Sequence, residues 1–328
     1  MSLAVRYALL AAAVLIAALL SLVIGPRSDV GLGNILHLLF VDDGSLARST
    51  VVDLRLPRTL VAGLVGANLA LAGLALQAVT RNPLASESIL GINQGAALGV
   101  AIAVTVPSLM IVNLDVMAII GAIAAGFLTF TIAGGLTGRL DSIRLVLAGV
   151  TVGAFSFACV RFTFTLEDNL SRLVLSWVSA DISAVRLAQA GPLALWAALG
   201  LAASLLLAQG FNILSLGDGA SQGLGVDPRR TRFLGALLAA ILTGASVAAA
   251  GPVMFVGLVV PHLCRLWFGQ NHRHLIPAVA LGGAGLVLLA DAMSKLVRFP
   301  YETPLGTICA LIGAPYFLIA AIRARRMA

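Results

Sequence analysis

The sequence predicts an all-α fold, a polytopic membrane bundle of about ten transmembrane helices. Two observations support this prediction. Of the 328 residues, 60% are hydrophobic and only 11% are charged, and so few charges cannot cover the surface of a soluble domain of this length. Charge-poor segments long enough to cross a bilayer also recur along the whole chain, and they contain small residues at helical spacing.

About ten predicted spans follow one another in a single transmembrane domain that covers 1–328. The span near 59–80 shows the pattern most clearly, because it carries no charge and Ala62, Gly66 and Ala70 recur at every fourth position. Such a stripe of small residues predicts the close approach of another helix. The spans lie near 7–25, 59–80, 89–107, 116–137, 144–165, 191–211, 232–251, 253–268, 276–294 and 304–322.

The span near 253–268 is predicted to be short and irregular. Pro252 precedes it, and it contains Pro261, His262 and Arg265. Irregular backbone at membrane depth is stable only where it is buried in protein or lines a cavity. The first apolar stretch is kept as a span, because no small-x-small cleavage site of a signal peptide follows it.

The basic residues indicate the orientation of the chain. With the amino terminus inside, arginines such as Arg6, Arg81, Arg229 and Arg323 gather on the inner side, whereas bases and acids nearly balance on the outer side. We therefore predict a multi-pass protein of the cell inner (cytoplasmic) membrane with both termini in the cytoplasm. The net charge of +7 then reflects this topology, so membrane lipids are expected partners and nucleic acid is not.

The sequence lacks the motifs of common enzymes. Lys295 is the only lysine and does not lie in a G-x-x-x-x-G-K-[ST] P-loop. The chain also has no nucleophile elbow, no His-Glu-x-x-His helix and no pair of carboxylates in an apolar span. We therefore predict no catalytic residues and no cofactor, so the chain should not be an enzyme.

Candidate metal ligands are sparse. Cys159, Cys264 and Cys309 show no metal-ligand spacing, so we expect them to pack inside the bundle. His272 and His274 flank Arg273 in a short inner loop, which is either a metal pair or a solvated basic loop. The prediction includes no metal site.

A long polar segment lies on the predicted inner side at about 212–232. Gly217 and Gly219 flank Asp218, a helix-capping residue type, and Asp227-Pro228 is a typical helix start. These features predict two short helices on the cytoplasmic face. The segment is either a connector or a functional loop, but it is longer than the ~2–8 residues usual between helices.

Several blocks of sequence, in a fixed order along the chain, carry a family resemblance. The first half contains R-L-P-R at 55–58, G-A-x-L-A-x-A-G at 66–73, Gln77, R-N-P-L-A at 81–85, L-G at 90–91 and G-A at 95–96. The second half contains L-G-D at 216–218, G-L-G-V at 223–226, G-P-V-M-F-V-G-L-V-V-P-H-L-C-R at 251–265, A-D at 290–291 and P-L-G-T-I-C-A-L-I-G-A-P at 304–315. From about Leu54 to Ala320 the chain therefore resembles the FecCD family, the permeases of iron-siderophore, haem and vitamin B12 ABC importers.

This resemblance implies a type II ABC importer permease fold and a set of partners. It implies a second permease subunit, either the same or a related chain, two ABC ATPase subunits inside, and a periplasmic or lipoprotein solute-binding protein outside. In the family the polar loop after the sixth span contacts the ATPase. The residues that take this coupling role here are Gly217, Asp218, Ala220, Leu224 and Gly225.

The resemblance also assigns roles at the outer face. Arg55 and Arg58 in the R-L-P-R turn, with Lys295 after the ninth span, match basic positions that dock the binding protein. Lys295 stands where the family often has arginine, so its contact would be a point charge without a bidentate fork. Read without the resemblance, these three residues would be interfacial side chains that anchor helix ends.

The translocation pathway in the family is lined chiefly by the fifth span. The corresponding residues here are Thr151, Ser156 and Arg161, and Ser142 and Ile143 lie at the inner turn where relatives have a narrow gate. An arginine near the outer end of a span either attracts an anionic substrate or extends to the membrane interface. The residues alone leave both possibilities open.

The resemblance implies import of an iron(III) chelate from periplasm to cytoplasm, driven by ATP hydrolysis on separate subunits. An anionic chelate, such as ferric citrate or a carboxylate siderophore, is favoured over haem or vitamin B12. An ATP-independent secondary transporter would need an ionisable residue near a span centre, whereas Asp291 and Arg161 lie close to span ends. A membrane-embedded enzyme is disfavoured by the missing catalytic motifs.

Overall fold

The computed structural model describes residues 1–27, 29–109, 111–134, 142–165 and 178–327. Its α-helices are α1 (Leu3–Val23), α2 (Ile35–Phe40), α3 (Leu46–Ser49), α4 (Leu56–Thr80), α5 (Ile92–Thr105), α6 (Leu114–Ile132), α7 (Ser142–Thr165), α8 (Leu187–Leu214), α9 (Asp218–Gly223), α10 (Pro228–Ala250), α11 (Val256–Phe268), α12 (His272–Leu296) and α13 (Leu305–Met327). A π-helical turn, Thr50–Arg55, joins α3 to α4.

The long helices match the predicted spans. Within the described ranges, seven helical segments are long and apolar enough to cross a membrane, and they contain α1, α4, α6, α7, α8, α10 and α12. Three shorter apolar helices are α5, α11 and the Leu305–Ile319 part of α13. Each of these helices overlaps one predicted span in order, so the all-α membrane bundle is confirmed.

Side chains at the helix starts explain several boundaries. The Asn113 side chain accepts a hydrogen bond from the Asp115 amide at 2.7 Å at the start of α6, and Asn271 does the same for Arg273 at 3.0 Å in α12. Pro57 and Pro228 lie in the first turns of α4 and α10. Proline costs nothing there, since the first amides of a helix have no intrahelical acceptor.

Helix α4 lies at the centre of the bundle and packs against α8, α10, α11 and α12. Ala62, Gly66 and Ala70 are buried, as their spacing predicts. A methyl group at Gly66 would collide with the carbonyl oxygen of Gly283 on α12, and one at Gly283 would collide with that of Gly66. The small residues therefore let the two backbones touch, which gives close packing without a hydrophobic driving force in lipid.

The connection between α10 and α11 is irregular, as predicted for this segment, and it is partly buried. Phe255 has a φ of 69°, and Asn93 Nδ2 donates a hydrogen bond to the Val253 carbonyl at 3.1 Å. The Glu87 side chain is fully buried and lies against Gly257. Glu87 therefore lies inside the bundle and not on its surface, because the 81–91 connection folds back between the helices.

Side-chain contacts define the two ends of the bundle. At the α9 end, Tyr7 Oη donates to the His274 carbonyl at 2.5 Å and Asn212 Nδ2 donates to Asn271 Oδ1 at 3.1 Å. At the opposite α2 end, a small second core joins α1 to the segment before α4. Its buried residues are Leu22, Val30, Ile35, Leu38, Ala47 and Val51.

Candidate functional site

The α9 end carries a short exposed element, 216–226, which we call the coupling loop. It contains α9 between two glycines, and Gly217 and Gly225 have φ values of 101° and 77°. Residues with a Cβ rarely adopt this left-handed region, so glycine is required at both turns. The loop is thus a helix of six residues between two tight turns.

The predicted second short helix is not formed. The prediction gave two short helices to the 212–232 segment, but only α9 is short, and the residues after Val226 begin the long helix α10. Asp227 accepts a hydrogen bond from the Arg229 amide at 2.8 Å, and Pro228 occupies the first helical position. The Asp-Pro start signal was therefore correct, and only the length of the following helix was wrong.

Two arginines from distant parts of the chain hold the coupling loop. Asp218 Oδ1 lies 2.6 Å from Arg232 Nη2 and 3.4 Å from Arg81 Nη2. The buried Ser221 hydroxyl donates to the Gly217 and Ile213 carbonyls at 2.7 and 3.1 Å. Sequence reasoning missed Arg81 and Arg232 as partners of Asp218, although Arg81 belongs to the R-N-P-L-A block.

The outward side of the coupling loop is available to a partner. Leu224 is 60% exposed and Leu216 is 63% exposed. Ala220 and Gly225 are exposed as well. The side chains of Asp218 and Ser221 fix the inner side of this loop. Exposed apolar side chains on a loop that is fixed in this way are typical of a protein contact. The structure thus brings together all the residues predicted for coupling.

A buried cluster of charges lies at the α2 end. Asp291 on α12 is fully buried, and its carboxylate lies 2.5 Å from Arg58 Nε and 2.7 Å from Lys295 Nζ. Ser21 on α1 donates a hydrogen bond to the same carboxylate at 2.7 Å. Arg58 also pairs with Glu302, which is partly exposed. We call Arg58, Asp291, Lys295 and Ser21 the charge cluster.

The three predicted docking cations meet at this end, but each is buried in this chain. Arg58 and Lys295 are 5% and 3% exposed and share Asp291. Arg55 is also 5% exposed, and its Nη1 donates to the Leu22 and Val23 carbonyls at 3.0 and 2.7 Å. Arg55 Nη2 has no hydrogen-bond partner among the described residues.

The partners of these cations were not predicted. Asp291 was noted only as an ionisable residue near a span end, and Ser21 and Glu302 were not identified. The A-D block at 290–291 was a signal for Asp291, since a lone carboxylate in an apolar span needs a cation beside it. The pairing itself joins residues 233 positions apart, and no local pattern encodes it.

Helix α7 presents some of the predicted pathway residues on one exposed face. Ile143 is 73% exposed, and Thr151 and Arg161 are exposed on the same side. The Arg161 guanidinium lies over the Phe157 ring, 5.2 Å from its centroid. Among the described side chains, this face therefore carries two cations, Arg144 and Arg161, and the hydroxyl of Thr151 in an otherwise apolar surface.

Ser156 is separated from this exposed face. It is 3% exposed and lies on the side of α7 that packs against α5 and α6. Residues that are three or four positions apart lie on the same side of a helix. Val152 and Val160, each four positions from Ser156, are also buried and define the packed side of α7. Ser142 is the first residue of α7, and its side chain lies outside the described part of the chain.

Comparison with known proteins agrees with this arrangement. The FecCD transport family model matches residues 13–323. The chain is 37% identical over 300 residues to the Fe(3+)-citrate import system permease protein YfmD of Bacillus subtilis, covering 92% of this chain and 89% of that protein. It is 40% identical over 276 residues to the Fe(3+) dicitrate transport system permease protein FecC of Escherichia coli, covering 84% and 83%.

A solved structure shares the fold over the whole chain. It is described as an inward-facing conformation of a metal-chelate type ABC transporter. The TM-score is 0.81 and the sequence identity 28%, and the match covers 98% of this chain and 99% of that one. Other relatives are named as permeases for iron-hydroxamate, haemin and cobalamin. Because the family model and these relatives cover nearly the full length, the chain belongs to the FecCD transport family.

Proposed function

We propose that this chain is the permease subunit of an ABC importer that carries an iron(III) chelate from periplasm to cytoplasm. ATP hydrolysis on separate ABC ATPase subunits drives the transport. The observation that carries this proposal is the coupling loop, in which Leu224 is exposed while Asp218 and Ser221 fix the backbone behind it. A loop of this kind transmits force only if its base is rigid and its tip is free to bind.

The partners follow from the two ends of the bundle. The ATPase subunits bind at the α9 end, which faces the cytoplasm together with both termini. The solute-binding protein docks at the α2 end, which faces the periplasm. A second permease subunit, of the same or a related sequence, completes the pathway against the exposed face of α7.

Arg55 is the strongest of the three candidates for docking the binding protein. Arg58 and Lys295 are already paired with Asp291, so a carboxylate on a partner would have to compete with a buried ion pair. Arg55 donates only to backbone carbonyls and keeps an unpartnered Nη2. Because Nη2 is buried beside Gly25, a carboxylate of the binding protein would reach it only after the segment around Gly25 moved.

The chelate is proposed to be anionic, such as ferric citrate or a carboxylate siderophore. Two ferric citrate permeases are among the relatives, and Arg161 places a permanent positive charge on the exposed face of α7. Haem or vitamin B12 is the alternative within the family, since relatives carry these names as well.

A secondary transporter is less well supported. Such a protein needs an ionisable group in the bundle that can exchange protons or ions. Two carboxylates are buried among the described residues. Arg58 and Lys295 neutralise Asp291, so proton or ion exchange there would leave two buried cations unpaired. The Glu87 carboxylate has no hydrogen-bond partner among the described residues, so membership of the FecCD transport family, rather than the buried charges, disfavours this class of protein.

The proposal is tested by ATP-dependent uptake of ferric citrate into proteoliposomes that contain the permease, its ATPase and its binding protein. Leu224→Asp should abolish most uptake while ATP hydrolysis continues, because the new charge must be desolvated in an apolar contact. Gln222→Asp, which adds a carboxylate at an exposed polar position of α9, is the control and should retain uptake. Uptake without ATP, or normal uptake by Leu224→Asp, would refute the coupling mechanism.

A further inference from the structure

A cavity lies between α5, α6 and α10 near the α9 end of the bundle. Its volume is about 290 Å³, and its walls are mainly apolar. Phe127 and Phe233 line it and are 57% and 62% exposed, so the cavity opens sideways on the perimeter of the bundle. A lateral opening in a membrane protein faces lipid.

Two arginines line the same cavity in the first turns of α10. Arg229 is exposed, and Arg232 is 7% exposed. Arg232 Nη2 donates to Asp218 at 2.6 Å, but its Nε is buried and has no hydrogen-bond partner among the described residues. A buried charged donor without an acceptor costs free energy, which an anion at this position would recover.

We propose that this cavity binds an anionic phospholipid of the leaflet that surrounds the α9 end. The phosphate lies between Arg229 and Arg232, and an acyl chain follows the wall formed by Phe127, Phe130 and Phe233. Guanidinium groups suit phosphate because they offer several donors in one plane. Basic groups at the inner end of an apolar slot between helices fit the shape of a lipid, with its charge at one end.

The lipid would also act on the coupling loop. The phosphate contacts the Arg232 guanidinium from the cavity, and the same guanidinium holds Asp218 through Nη2. Bound lipid therefore fixes the orientation of a side chain that anchors α9. This inference rests on the membrane bundle and does not depend on which substrate is transported.

The test measures lipid binding to the purified importer, with its ATPase subunits, by native mass spectrometry in neutral detergent. Phosphatidylglycerol should bind more tightly than phosphatidylcholine. Arg229→Gln should weaken phosphatidylglycerol binding by about fivefold, the effect of one basic residue near a membrane surface. Arg230→Gln is the matched control, because Arg230 is exposed on the same turn of α10 but does not line the cavity.

A second variant tests the apolar part of the site. Ala236 lines the cavity, and Ala236→Trp should fill it and reduce the binding of phosphatidylglycerol without changing any charge. Equal effects of Arg229→Gln and Arg230→Gln would overturn the proposal, and so would equal binding of the two lipids. Displacement of the lipid by millimolar inorganic phosphate would assign the site to a soluble anion and would also overturn it.

Discussion

At the scale of single residues, the most unusual feature is the carboxylate of Asp291. Its charge is fully buried between Arg58 and Lys295, with Ser21 as a further donor. Burying an ion is costly unless partners surround it, so this cluster is stable only as a unit. It joins α1, α4 and α12 at the end of the bundle where the binding protein is proposed to dock.

Replacing Asp291 with asparagine should destabilise the protein strongly. Asp291→Asn leaves Lys295 without its carboxylate and Arg58 with only Glu302, and a broken buried ion pair costs about 3–5 kcal/mol. The thermal unfolding midpoint in detergent measures this loss. Glu302→Gln is the control, and its effect should be much smaller because the Glu302 side chain is 32% exposed. Equal midpoints for the two variants would contradict a structural role for the cluster.

The charge of Arg161 should matter for an anionic substrate. Arg161→Gln should reduce uptake of ferric citrate several-fold, because a charge in a partly dehydrated pathway is less screened than in water. Arg161→Lys should keep part of the activity, and binding-protein affinity should stay the same in both variants. Uptake is measured per membrane-inserted permease. Near-normal uptake by Arg161→Gln would mean that this arginine only anchors the helix at the interface.

At the scale of elements, the coupling loop combines rigid turns with an exposed apolar tip. Gly217 and Gly225 form the turns, Asp218 and Ser221 hold the base, and Leu224 is exposed. The backbone conformation of the loop thus depends on the two glycine turns and on the contacts that Asp218 and Ser221 make with neighbouring segments. A substitution at Gly225 alters this conformation without replacing the exposed Leu224 side chain.

Gly225→Ala and Gly219→Ala separate backbone strain from steric crowding. An added Cβ meets no atom within 4 Å at either position, but only Gly225 has a positive φ, of 77°. Gly225→Ala should therefore cost about 1–2 kcal/mol locally, whereas Gly219→Ala within α9 should be neutral or stabilising. Hydrogen exchange of the 216–227 amides and coupled uptake measure the difference. Identical exchange in both variants would show that the turn at Gly225 does not constrain the loop.

At the scale of the whole molecule, α4 connects the two proposed docking ends. Arg58 in its first turn belongs to the charge cluster, and Arg81, which follows its last turn, lies 3.4 Å from Asp218 of the coupling loop. Between these ends, α4 is buried and contacts Gly283 and Gly257 through its own glycines. A shift of α4 would therefore displace residues of the charge cluster at one end of the bundle and the partner of Asp218 at the other.

Cysteine labelling tests the proposed orientation. Leu46 at the α2 end is 73% exposed and Leu224 at the α9 end is 60% exposed. A membrane-impermeant maleimide should label Leu46→Cys in intact spheroplasts and should label Leu224→Cys only after permeabilisation. The unmodified protein is the control, because Cys264 and Cys309 are buried and Cys159 is partly buried. Labelling of Leu224→Cys from outside would reverse the topology.

Much of the architecture could be predicted from the sequence because the bilayer imposes local rules. A span needs about 20 apolar residues and satisfies its backbone internally, so spans can be read one at a time. The stripe of Ala62, Gly66 and Ala70 predicted a close helix contact, and the structure confirms it. The coupling loop was located by its glycines and length, but the prediction of two short helices in it was wrong.

The sequence by itself determined the fold class, the order of the spans, the irregular segment before α11 and the position of the coupling loop. Only the tertiary structure decided that Arg58 and Lys295 share the buried Asp291, that Arg81 and Arg232 hold Asp218, and that Ser156 faces the packed side of α7. The apolar composition of a segment and the spacing of its small residues indicate whether it can cross a membrane and pack against another helix. Which charged residues form ion pairs, and which side of a helix is packed, depend on which distant segments of the chain come together. No local sequence pattern records that.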